Sequence, residues 1–450
     1  MIEESSLNIN KFHFVTGDKA LYQGNYYSDK APGMAFSALP AISASKLYLD
    51  SNRNNYKWIN DNGKVTSSFV FVALIATIAT SGLLTALAGA ALFFVAIKLG
   101  AGPAGGVFGA LAFGLATPAW GWSTAFFGHA PAASCLFLGL TAILYLLNST
   151  SGKTRDIVLG FISGALLSWA VVIEYTSAPI SVIIAVYGLV SAWDWERRRL
   201  MRVFLSAFVG ASVFICPLLI YNYAIYGNIL TSGYEYTVLF PGMKEGYYGI
   251  IAPRPEVLFN LLFSSYKGIF WFSPLLLFVP FALYKLWQTR GQKGLAITIV
   301  AVTLYYLLWN SGYVYWTGGG SLGPRYLTPM LPFLCISLAF LWAQAGKKLK
   351  LVLLLFFAIS FFISLMSVSV SMTKDIGSEI NAVTDYLIPE FLAANQLSVS
   401  FLFRLISPSF DGTSHLHILP LCIILAIGFI YILWELYKYS DSEVASTRFL

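Results

Sequence analysis

The sequence predicts an all-α polytopic membrane protein with about eleven transmembrane helices, and three observations predict it. Of 450 residues, 57% are hydrophobic and only 11% charged, with a mean hydropathy of +0.70, too little charge to clothe a soluble surface. Apolar runs long enough to cross a bilayer recur along the chain. The basic residues sit in short clusters at alternate ends of those runs, which is how membrane orientation is encoded. The net charge of +7 therefore implies no nucleic-acid partner.

Residues 1–66 come first and fall on the external side. They contain no basic stretch followed by an apolar leader, so nothing within them explains translocation. Either this segment crosses unaided or a first transmembrane helix precedes it in a longer chain, and the second is the expectation. Within it, Tyr26-Tyr27-Ser28-Asp29-Lys30-Ala31-Pro32-Gly33 sets a carboxylate and an ammonium beside a rigid Pro-Gly corner. Met34–Leu49 then reads as a short apolar helix in the outer interface.

The spanning runs follow at about Ser67–Ile97, Pro103–Gly121, Gly128–Leu147, Ile157–Ile173, Ser177–Trp193, Val203–Tyr226, Ile269–Trp287, Leu295–Gly312, Tyr326–Ala345, Leu351–Ser371 and Leu416–Tyr437. Fifteen Lys and Arg lie on one set of connections: Lys98, Lys153, Arg155, Arg197, Arg198, Arg199, Arg202, Lys285, Arg290, Lys293, Lys347, Lys348, Lys350, Lys438 and Arg448. Beyond residue 66 the other set holds six, Lys244, Arg254, Lys267, Arg325, Lys374 and Arg404. The richer side is cytoplasmic, the C-terminus with it, in a multi-pass inner-membrane protein. Residues 67–345 form a transmembrane core and residues 346–450 add helices around an external loop at 372–415. Both flanks of Ile157–Trp193 are basic, so its 37 residues go out and back, leaving Glu174 at the apex, within reach of water at the outer interface. Cys135, Cys216, Cys335 and Cys422 lie inside apolar runs without metal spacing and read as small core residues.

The unusual polar residues converge on the external side: Asp18, Asp29, Lys30, His129, Glu174, the Tyr234-Glu235-Tyr236 loop, Lys267 and Arg325. Ionisable groups at a membrane boundary are costly, and a convergent set marks a site. Taken singly, His129 could cap a helix and Lys267 could snorkel. Arg325 is the strongest, because it follows the glycine-rich Gly318-Gly319-Gly320-Ser321-Leu322-Gly323-Pro324, and its guanidinium fork suits phosphate oxygens. Neither a nucleotide-binding loop nor a metal spacing is present. Two or three cations with two or three carboxylates could bind a lipid-linked phosphate and activate a hydroxyl.

Tyr27 to Gly33, Phe127-Gly128-His129, Glu174-Tyr175, Tyr221-Asn222 with Tyr226-Gly227, and Gly323-Pro324-Arg325-Tyr326-Leu327 with Pro329 and Pro332 together resemble bacterial membrane glycosyltransferases of the GT-C fold. These include protein O-mannosyltransferases and lipid A aminoarabinose transferases of cell-envelope glycan biosynthesis. The resemblance runs through most of residues 10–345 and implies inverting transfer of a sugar from a polyprenyl-phosphate donor to an acceptor hydroxyl on a glycan, lipid or protein, at the outer membrane face. No cofactor is implied, and metal dependence is left open. Lys30 with Pro32 looks like the Lys-Pro-Pro stretch of the first external loop, and Arg325-Tyr326 like the Arg-Tyr before the Pro-rich span. Both would meet donor phosphate, with Lys267 as a third cation. Glu174-Tyr175 occupies the place of a Lys-Gly-Pro stretch with the charge reversed. The family's acidic pair with its catalytic Asp would precede residue 1, so Asp29 or Asp18 inherits the role of base, with Glu174 and His129 as further catalytic candidates. The alternatives are a lipid-linked sugar flippase or transporter, which calls for charges through the membrane depth and inverted repeats, or a non-catalytic membrane assembly protein.

Overall fold

A computed structural model describes residues 6–52, 56–60, 63–394, 397 and 414–447. Arg404, Arg448 and most of the expected loop at 372–415 beyond residue 394 lie outside the described residues. The protein is a helical membrane protein. Among the described residues, eight helices are long and apolar enough to cross a bilayer: Ser67–Lys98, His129–Leu147, Lys153–Ile173, Arg197–Tyr226, Lys293–Ser311, Arg325–Gln344, Lys347–Val370 and His415–Lys438. Two shorter apolar helices, Gly102–Leu115 and Tyr175–Ser191, take the places of two further expected spans.

Two of the expected runs are not single long helices, for local reasons. The run at 103–121 stops as a helix at Leu115, because Pro118 brings no N–H and disfavours helical backbone at Thr117, and a separate turn resumes at Ala119–Ser123. The run at 269–287 is broken into Ile269–Phe272, a 3₁₀ turn Pro274–Phe278 and the helix Val279–Gln288. Pro274 interrupts the ladder there, and Ser273 Oγ donates to the Ala116 carbonyl 2.6 Å away, tying one broken segment to the other.

Burial sorts the helices by depth. The most apolar stretches of Arg325–Gln344 and His129–Leu147 are 83% and 78% buried, which makes them the centre of the bundle, whereas Arg197–Tyr226 and His415–Lys438 are 17% and 11% buried and present their side chains to lipid. Helices Lys153–Ile173 and Arg197–Tyr226 meet at backbone distance. A Cβ at Gly164 would sit 1.9 Å from the Ala207 carbonyl oxygen, so only glycine permits this approach, the small-residue packing of membrane helices.

The two sets of connections lie at opposite ends of the bundle. At one end Lys98 rests over Tyr145 and Arg199 donates to the carbonyls of Leu146 and Ser149. The other end of the same central helix begins at His129, where Glu174 and Arg325 gather. The Lys- and Arg-rich connections and the polar cluster thus lie at opposite ends of this helix.

One feature escapes the all-α expectation. Lys19–Tyr22 and Asn25–Ser28 form a two-stranded hairpin pairing Lys19 with Ser28 and Tyr22 with Asn25. Gln23 and Gly24 both have positive φ, 47° and 77°, the tight turn whose twist matches the strands. The following helix runs from Gly33 to Asn52, about a turn longer than expected and carrying Pro40 within it.

Candidate active site

The hairpin register explains how two acidic residues distant in sequence meet one lysine. Pairing Lys19 with Ser28 puts Asp18 and Asp29 side by side just beyond the strands. Lys30 Nζ lies 3.1 Å from Asp18 Oδ1 and 3.2 Å from Asp29 Oδ1. The hairpin is docked through a bridge between Ala20 and Thr237, and Thr237 Oγ1 donates to Asp29 Oδ2 at 2.9 Å. The Asp29 side chain is fully buried, and burial pushes its carboxyl up while Lys30 and Thr237 hold it down. Burial also depresses the Lys30 ammonium, but Asp29 and then Asp18 reverse this and leave it raised. Its charge further lies near the rings of Tyr234 and Phe240, at 5.4 and 5.0 Å.

Glu174 ends the helix Lys153–Ile173 in extended backbone and turns its carboxylate onto the start of the helix His129–Leu147. Oε1 would be 2.4 Å from a Cβ at Gly128, so glycine there lets the carboxylate reach the helix terminus, where the dipole favours it. His129 Nδ1 is 3.4 Å from Oε1. Glu174 is not the water-washed apex the sequence suggests. Its side chain is only 20% exposed, and burial raises its pKa to about 7 although Arg325 and Lys30 pull it back down. The hairpin apex folds inward against its neighbours, and this covers it.

Arg325 passes over Gly318, whose φ of +72° and missing Cβ leave room for the guanidinium stem. The guanidinium faces the rings of Phe127 and Tyr326 at 5.3 and 5.0 Å, and Nη2 donates to the Tyr326 hydroxyl at 3.2 Å. Nε is buried without a hydrogen-bond partner among the described residues, so the fork retains donors for an anion. Tyr326 sets its ring edge-on to His129 at 5.2 Å, which joins the Arg325 and Glu174 halves of the cluster.

Lys267 keeps its expected side, near Arg325, but is buried. It is 1% exposed, and its ammonium donates to the Ser321 carbonyl, to Ser321 Oγ at 3.1 Å and to the Gly319 carbonyl at 3.4 Å. All its donors are spent on the glycine-rich loop, so it holds the loop that carries Arg325 and is not free for phosphate. Burial first, and Arg325 second, lower its pKa to about 8.

Asp18, Asp29, Lys30, His129, Glu174, Arg325 and Tyr326 are thus brought to one end of the bundle. Glu235 stands apart, accepting from the Tyr248 hydroxyl at 2.7 Å. Sequence reading missed Thr237, Phe127 as a partner of Arg325, and Phe240. A lone threonine or phenylalanine in a loop carries no signal of the charge it will meet. Among the described residues no group of three or more His, Cys, Asp and Glu could hold a metal ion.

No protein-family model and no curated protein matches the chain. Its fold is the GT-C membrane fold. ArnT from Cupriavidus metallidurans, solved bound to undecaprenyl phosphate, superposes with a TM-score of 0.51 over 85% of this chain and 63% of that one, at 16% identity. The apo structure of the same protein gives a TM-score of 0.45 at 15% identity, over 78% of this chain and 56% of that one. This chain therefore spans less than two thirds of the length of ArnT.

Proposed function

We propose that the protein transfers a sugar from a polyprenyl-phosphate donor to an acceptor hydroxyl, with inversion, at the external face of the inner membrane. The observation that carries this reading is the pairing of Arg325, with unfilled donors, and Lys30 around a largely buried carboxylate, Glu174. A neighbour in the same fold binds undecaprenyl phosphate, which supports the donor class. In the proposed step the acceptor oxygen attacks the anomeric carbon and its proton passes to Glu174. The bond from that carbon to the phosphate oxygen breaks, and its electron pair leaves on the polyprenyl phosphate. The phosphate gains one negative charge, which Arg325 and Lys30 are set to neutralise. His129 holds Glu174, Asp29 orients Lys30, and Lys267 positions Arg325 through its loop. Asp29 is too buried to reach an acceptor, so the base role expected of it passes to Glu174.

The test incubates purified protein with a panel of polyprenyl-phosphate sugars and measures released polyprenyl phosphate. Release is expected for at least one donor, and Arg325→Ala should cut it by ~10²–10³-fold, the usual cost of one transition-state donor, with the thermal midpoint retained. No release across the panel, or unchanged release by Arg325→Ala, overturns the reading.

A further inference from the structure

At the end of the bundle opposite this cluster, the helices Ser67–Lys98, His129–Leu147 and Lys153–Ile173, with the connection at 148–150, form an open pocket of about 660 Å³ whose lining includes Lys98, Tyr145, Arg155, Val158 and Leu159. Its charge is uncompensated. Lys98 lies over the Tyr145 ring at 5.0 Å, and among the described residues neither it nor Arg155 has a carboxylate partner. The nearest acid, Asp156, is fully buried and committed elsewhere: Arg199 holds one oxygen at 3.3 Å and Arg202 the other at 2.9 Å.

The lining is also graded. Lys98, Arg155, Ser149 and Thr150 supply charge and hydroxyls, whereas Tyr145, Val158 and Leu159 supply apolar surface, and Val158 is 47% exposed on a helix that crosses the membrane. A free anion would use only the first group. A ligand that uses both has an anionic head and an apolar body. We propose that this cavity binds the phosphate headgroup of an anionic phospholipid, with Lys98 and Arg155 on the phosphate and an acyl chain beside Val158. The site is independent of the transfer reaction.

Native mass spectrometry of the full chain, titrated with phosphatidylglycerol, phosphatidylcholine or inorganic phosphate, tests it. Phosphatidylglycerol should bind best. Lys98→Gln and Arg155→Gln should each weaken it roughly fivefold, and together roughly 25-fold, by the ~1 kcal/mol that one basic group contributes near a membrane surface. Lys285→Gln with Lys293→Gln, at the same end but outside the cavity, should leave it unchanged. Equal binding of phosphatidylcholine, phosphate alone binding as tightly as the lipid, or loss of no affinity in the double variant overturns the proposal. A photoreactive phosphatidylglycerol on the unmodified protein adds a readout free of folding effects. Crosslinks within residues 145–159 support the site, and crosslinks only elsewhere refute it.

Discussion

Glu174 carries the most weight for one residue in the proposed transfer, because burial raises its carboxyl toward neutrality, where a base is useful. Its pKa stands near 7 against an ordinary 4.5. An acid raised in this way holds more protons folded than unfolded between those values, so its contribution to stability is greatest at low pH and is lost as pH rises from about 4.5 to 7. Transfer runs the other way, since only the ionised form accepts a proton, and its rate should climb through pH 7. Glu174→Gln is expected to flatten both profiles and to lower transfer by ~10²–10⁴-fold, the usual share of a general base. Thermal midpoints and rates between pH 5 and 8 check this. A variant with an unchanged rate and an unshifted rising limb would move proton acceptance to another group, Asp18 being the exposed carboxylate nearest Lys30. Position along the chain made Glu174 legible as an apex residue. Its shelter was not legible, because that depends on Gly128 and Arg325, which come from other elements.

Among the elements, the loop at 318–323 shows most clearly how a local signal can be read correctly and its partner wrongly. Its glycines announced a close approach, and the approach is real, but the group approaching Gly318 is the stem of Arg325. Lys267 looked like a third phosphate ligand because it shares a side with Arg325. Three-dimensional proximity instead delivers its ammonium to the carbonyls of Ser321 and Gly319. Removing that ammonium leaves the buried Ser321 carbonyl without this donor, at ~1–3 kcal/mol. Lys267→Met should therefore lower the thermal midpoint, speed hydrogen exchange at residues 317–323 and slow transfer without weakening lipid-phosphate binding at the opposite end. Exchange unchanged in that loop would remove the positioning role. The N-terminal hairpin belongs to the same scale. Gln23-Gly24 is a weak turn signal by itself, yet the register it sets is what makes Asp18 and Asp29 share Lys30.

For the whole molecule, the expected orientation puts the end rich in Lys and Arg inside and the end bearing the cluster outside. In a protein freed of its native cysteines, Tyr247→Cys, at a position 73% exposed on the cluster side, should react with an impermeant maleimide in intact cells. Gln292→Cys, in the connection before Lys293–Ser311, should react only after permeabilisation. The reverse labelling would invert the topology. What the sequence by itself determined was the membrane class and the order of the apolar segments, because hydropathy acts over whole segments and needs no partner. Tertiary structure alone decided which cations stay free. The fates of Lys30, Lys267 and Arg325 turn on which carbonyl, carboxylate or ring reaches each one, and several of those neighbours, Tyr234 for Lys30, Ser321 for Lys267 and Phe127 for Arg325, stand tens to hundreds of residues away in the chain.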